Sequence, residues 1–95
     1  MFIIDVTYKS DLSLIDQHLE AHKSFLDTNY QSGYFLASGR KNPRTGGIIL
    51  TQAVSIEDIH KIIAQDPFKM YDIANYHITE FIPSKTNKAL DFLMT

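Results

Sequence analysis

Cysteine and tryptophan are both missing from this chain of 95 residues. Without a thiol there is no disulfide, no thiolate nucleophile, no cysteine-based zinc site and no iron–sulfur cluster, so packing or a partner subunit must hold the core. A basic excess is missing as well. Nine Lys and Arg stand against eleven Asp and Glu, a net charge of −2, which argues against nucleic acid or an anionic membrane surface as partner. Long apolar runs are absent: stretches such as Phe2–Ile4 and Ile48–Leu50 are far too short to cross a bilayer. The opening MFIIDVTYKS carries neither a basic leader nor a cleavage pattern, and the expectation is a cytoplasmic protein.

What is present is the composition of one ordinary globular domain spanning residues 1–95, with 44% apolar residues and 21% charged. Phe2, Ile4, Val6 and Tyr8 alternate with Ile3, Asp5 and Thr7, predicting a strand over 2–8. Ser10 or Asp11 can cap a helix whose apolar stripe is Leu12, Ile15, Leu19, His22 and Leu26, about 20 residues long by its spacing. It ends near Gly33. Tyr34 to Ser38 reads as a second strand closed by Gly39. The polar turn RKNPRTGG at 40–47 then returns the chain as a hairpin into a third strand, 48–53. Ser55 opens a second helix with capping-box spacing, its buried stripe being Ile56, Ile59, Ile62 and Ile63. Asp66–Pro67 stops it. A short helical turn over 68–74, a fourth strand over 75–82 and an amphipathic tail over 88–94 complete the chain.

The order β-α-β-β-α-β implies an α+β, ferredoxin-like sandwich: one four-stranded antiparallel sheet with both helices on one face. The other face is left bare although its positions are apolar, and a second copy of the sheet would cover it. The expectation is a homodimer, with the apolar tail docking across it or building a larger assembly.

His22 stands out because it takes a slot of the apolar stripe. It is either a core histidine satisfied by a hydrogen bond or a general base in a dry pocket. Asp66 is the expected partner, besides being a good cap for the turn after Pro67, with one oxygen for each task. The two should meet, because the first and third strands of a split βαβ fold are expected to be parallel and both helices then finish at the same end of the sheet. A carboxylate on one imidazole nitrogen would fix the tautomer and make the other nitrogen more basic. Ser38, Gly39 and Arg40 could hold an anionic group, whereas Lys41 and Arg44 read as solvated loop. Tyr8 and Tyr34 are candidates to line a pocket. His18 and His22 are four apart, but no third ligand is spaced to join them, so no metal is expected. His60, among Asp58 and Lys61, reads as surface.

HKSFLD around His22, GYFLASG at 33–39, RTGGIIL at 44–50 and DPF at 66–68 stand in the order and spacing of the YciI-like (YCII-related) family. The resemblance runs from Met1 to about Pro83. It implies a ferredoxin-like fold that dimerises into an α+β barrel and a histidine–aspartate site, which fall on His22 and Asp66. It also implies proton-transfer elimination as one chemistry the scaffold can support, through a related dehydrochlorinase acting on a hydroxyquinol. Arg40 departs from the pattern, since many members carry Pro after Ser-Gly. Two functions follow. One is a cofactor-independent lyase or isomerase acting on a small, anionic cyclic or aromatic molecule. The alternative is a ligand-binding or structural dimer in which His22–Asp66 is a packing feature.

Overall fold

The computed structural model describes residues 1–52 and 55–94. The expected alternation gives strand β1 (Phe2–Tyr8), whose even-numbered residues Phe2, Ile4 and Val6 are buried. Asp11 caps helix α1 (Leu12–Gln17) by accepting the Leu14 N–H. The expected 20-residue helix is not continuous. It breaks at His18, whose backbone leaves helical geometry, and resumes as α2 (Leu19–Gln31). Gly33 punctuates its end with a φ of 82°, which glycine adopts without strain.

Strand β2 (Phe35–Arg40) runs on through Gly39 rather than stopping there, and Tyr34 lies outside it. The turn leads into β3 (Gly46–Thr51); Ala53, the expected end of that strand, lies outside the described residues. Ser55 caps α3 (Ile56–Ile63) by accepting the Asp58 N–H. Asp66 and Pro67 open the one-turn helix α4 (Pro67–Met70). Strand β4 (Ala74–Glu80) and a 3-10 helix (Lys88–Met94) follow.

The sheet order is β2-β3-β1-β4, every neighbouring pair antiparallel. This is an α+β arrangement compatible with the ferredoxin-like expectation. One topological expectation is overturned: β1 and β3 are antiparallel neighbours, Phe2 lying opposite Thr51. The helix that follows β1 and the helix that follows β3 therefore run in opposite directions. β3 ends beside the start of β1, so α3 begins there and climbs back toward the end of β1. It delivers Asp66 and Pro67 to the edge where Tyr8 pairs with Ala74. His22, the fourth residue of α2, sits near the start of its helix and not in its closing turns.

The core lies between the sheet and the helices. Phe2, Ile4, Val6, Phe35 and Ile49 from the strands meet Ile15, Phe25, Ile59, Ile62, Ile63 and Phe68. Two expected core positions are surface ones, Leu12 at 43% and Ile56 at 37% exposed, each at the first residue of its helix. In α2 the deepest residues are Phe25 and Asn29, one position off the Leu19–His22–Leu26 stripe. That stripe lines a cavity, with Leu19 and Leu26 also packed, partly buried, against the core.

Candidate functional site

Between α2 and the β2–β3 hairpin the packing leaves a cavity of about 250 Å³. Its helical wall is Leu19, His22, Lys23 and Leu26, and its sheet wall includes Ser38, Arg40 and Ile49. Two features of the hairpin open this space. Gly47 lies opposite Arg40 without a side chain, on the same face as buried Ile49 two residues on. A β-bulge between Phe35 and Ala37 also shifts the register, so that Phe35 faces Thr51 while Ser38 faces Ile49. The extra residue changes the parity of the strand. Ser38 and Arg40 consequently look toward the helices, as Phe35 does three residues earlier.

Asp66 is fully buried and collects three donors. As cap of α4 it accepts the Phe68 N–H on Oδ1 at 3.0 Å. The same oxygen lies 2.8 Å from His22 Nδ1, and Oδ2 accepts the Tyr76 hydroxyl at 2.5 Å. Capping and histidine pairing thus share one oxygen; the other serves a tyrosine that sequence reasoning did not single out. Its signal was there in part, since Tyr76 lies opposite Val6 on the helix-facing side of β4. Nothing in the spacing, however, announced that Asp66 sits above it. Burial, followed by the charge of Asp66 and the hydrogen bond to it, pushes the Tyr76 phenol well above the usual tyrosine range.

The imidazole is held on its face too. It stacks on Phe68 with centroids 4.1 Å apart and rings 6° from parallel. Facing an ionised carboxylate, which can only accept, Nδ1 is the donor, and in the neutral imidazole the lone pair then falls on Nε2. His22 retains 14% side-chain exposure and lines the cavity. This arrangement suits proton transfer: an oriented imidazole, a buried partner behind it, and an apolar chamber in front.

The other sequence candidates divide. Tyr8, Ser38, Gly39 and Arg40 all line the cavity with His22. Tyr34 is not among its lining residues; its carbonyl accepts from Thr51 Oγ1 and the Gln52 N–H where β2 begins. Ser38 Oγ lies 2.7 Å from the Tyr30 hydroxyl. Arg44 and Lys41 are not free loop cations. Arg44 pairs with Asp16 at 2.6 Å and Lys41 with Asp5 at 2.6 Å. His18 stacks on Tyr71 at 4.1 Å, and His60 is exposed. Among the described residues no group of three His, Cys, Asp or Glu side chains is placed to hold a metal, and no helix is long and apolar enough to cross a membrane.

The sequence profile of the YCII-related domain matches residues 1–82. Curated proteins give no match. Among solved structures, the 5-chloro-2-hydroxyhydroquinone dehydrochlorinase of Burkholderia phenoliruptrix, in complex with 2,5-dihydroxybenzoquinone, superimposes with a TM-score of 0.73. The match covers 94% of this chain and 98% of that one at 16% identity. At that identity the likeness is one of fold.

Proposed function

Because the chain belongs to the YCII-related domain family, we propose that it is a cofactor-independent acid–base enzyme of the lyase or isomerase type, acting on a small, anionic cyclic or aromatic molecule. The observation that carries the reading is the His22–Asp66 hydrogen bond at the wall of a cavity large enough for one substituted ring. In this proposal His22 Nε2 takes and returns protons, Asp66 holds the ring in the productive tautomer, and Ser38 and Arg40 hold substrate oxygens. The ring-shaped ligand of the structural neighbour supports the substrate class.

For a halogenated hydroquinone the steps balance without an oxidant. Nε2 accepts the proton of the hydroxyl beside the halogen and returns it to the halogen-bearing carbon, leaving a carbonyl. It then accepts the proton of the second hydroxyl while the carbon–halogen bond breaks with its electron pair. One quinone and one HX result. The working unit in this proposal is a homodimer whose sheets face each other as an α+β barrel, placed in the cytoplasm, where a cysteine-free chain loses nothing.

A second reading has its own observation. Two of the three donors on Asp66, the Phe68 N–H and Tyr76, are structural, as expected if the pair only fixes packing in a ligand-binding dimer. Hydrogen–deuterium exchange separates the two. Ring C–H positions of 2-hydroxyhydroquinone exchange with D2O through proton transfer alone, with no leaving group required. Wild-type protein is expected to accelerate that exchange, and His22→Ala and Asp66→Asn to abolish the acceleration while remaining folded. Full acceleration by both variants would overturn the acid–base reading.

A further inference from the structure

Three cations crowd the β2–β3 hairpin, and two are already neutralised: Lys41 by Asp5 and Arg44 by Asp16. Arg40 has no carboxylate within ion-pair distance among the described residues. It is also the member of the three that lines the cavity, directed there by the bulge in β2. Across the space stands Lys23, whose ion-pair partner among the described residues is the exposed Glu20 at 3.5 Å. None of the described residues lining the cavity is an Asp or Glu. In a chain with a net charge of −2, this chamber has only cationic charged side chains on its walls.

The positive charge comes with geometry. Next to Arg40 the wall is bare backbone at Gly39 and Gly47, which lets a flat group approach the guanidinium fork edge-on. Ser38 adds a hydroxyl whose oxygen lies 2.7 Å from the Tyr30 hydroxyl. When the tyrosine donates to Ser38 Oγ, the serine hydrogen is free for the cavity. Leu26 and Ile49 supply apolar walls for a ring. A guanidinium fork matches a carboxylate in two parallel hydrogen bonds, which a lone hydroxyl cannot reproduce.

We infer that the cavity selects a single-ring carboxylate, Arg40 and Ser38 gripping the carboxylate while the ring places its acidic hydrogen at His22. The inference rests on the acid–base reading of His22 and names the substrate class for it. Arg40 is its specificity determinant: it favours ring carboxylates over diphenols that lack the carboxylate, which still enter the cavity more weakly.

The test uses two probes of one skeleton, 2,5-dihydroxybenzoate and hydroquinone, titrated into the full chain and followed by amide NMR shifts. Wild-type protein is expected to bind the carboxylate about tenfold more tightly than the diphenol, with shifts centred on Ser38, Gly39, Arg40 and Gly47. Arg40→Gln should erase that preference with a native-like spectrum. Lys61→Gln, which removes the same charge from the exposed face of α3, should keep it. Equal binding of both probes to the wild type, a preference that survives in Arg40→Gln, or one lost equally in Lys61→Gln would overturn the inference. Failure here is distinguishable from failure of the acid–base reading. If Arg40 is not the determinant, the preference is absent from the wild type or survives in Arg40→Gln while His22-dependent deuterium exchange persists. If His22 is not the base, exchange is absent while the Arg40-dependent preference remains.

Discussion

At the scale of single residues the molecule turns on Asp66. A carboxylate with no solvent exposure survives only if its oxygens are satisfied, and three donors do this. Asp66→Ala would leave the Phe68 N–H, the Tyr76 hydroxyl and one imidazole nitrogen without their acceptor at once. Its expected cost is about 2–4 kcal/mol of stability by urea unfolding. Asp66→Asn keeps the size and one acceptor, and should cost clearly less while still ending deuterium exchange. Tyr76→Phe makes a separate prediction. Its phenol is pushed up in the folded state by burial and by the Asp66 charge, whereas in the unfolded chain it titrates near the ordinary value of about 10. A raised folded-state value means stability that is present in full below about pH 10 and lost as pH rises beyond it, because only the unfolded chain can release the proton. The wild type should therefore lose urea resistance between about pH 9.5 and 11 more steeply than Tyr76→Phe, which starts lower at neutral pH. Parallel slopes for the two proteins would show that Tyr76 is not held neutral by its surroundings.

At the scale of elements, the β2–β3 hairpin makes the site possible. Gly46 is where it passes closest to β1: a Cβ there would stand 1.8 Å from the Val6 carbonyl oxygen and 2.8 Å from its carbon. These are backbone atoms in the middle of the sheet and cannot swing aside. Gly46→Ala should thus cost about 3 kcal/mol or more, measured as the fall in urea midpoint. Gly39→Ala, with open space around its Cβ, should stay within about 1 kcal/mol of wild type. This hairpin is also where the sequence was least informative. Alternation and turn residues located β1, the first cap to Ser10 or Asp11, the caps at Ser55 and Asp66, and the hairpin itself, because each is a local signal. The bulge is not local. It depends on how β2 registers against β3, and it alone puts Ser38 and Arg40 on the face of Phe35. The meeting of His22 with Asp66 was anticipated through parallel helices. It is achieved through antiparallel ones, because β1 and β3 pair antiparallel and α3 climbs back to the start of the first helical arm. The helical stripe containing His22 was legible as a pattern. That it borders a cavity follows from the missing side chain at Gly47 and the bulge in β2 on the opposite wall.

At the scale of the whole molecule, residues of α1, α2, α3 and α4 pack on one face of the sheet, where the core lies. Ile3, Asp5 and Thr7 of β1 and Ile48 and Leu50 of β3 alternate away from the core. The carboxylate on these central strands, Asp5, is neutralised by Lys41, which also donates to Thr7. An apolar centre whose charges cancel is a surface that burial against a second copy would cost little to desolvate. The dimer proposed above places this face against its twin, and a two-fold axis would bring Leu50 of each chain close to the centre of the contact. Sedimentation equilibrium should accordingly give twice the chain mass of 10.9 kDa. Leu50→Lys should return the mass to that of one chain, since two buried ammonium groups would face each other while Asp5 on that face is already paired with Lys41. The same substitution points away from the His22 cavity, so amide shifts around Ser38 and Arg40 on probe binding should persist in the monomer. A wild-type chain that sediments as a monomer at tens of micromolar would remove the barrel from the proposal. The acid–base site would remain, because His22, Asp66, Tyr76, Ser38 and Arg40 all come from one chain.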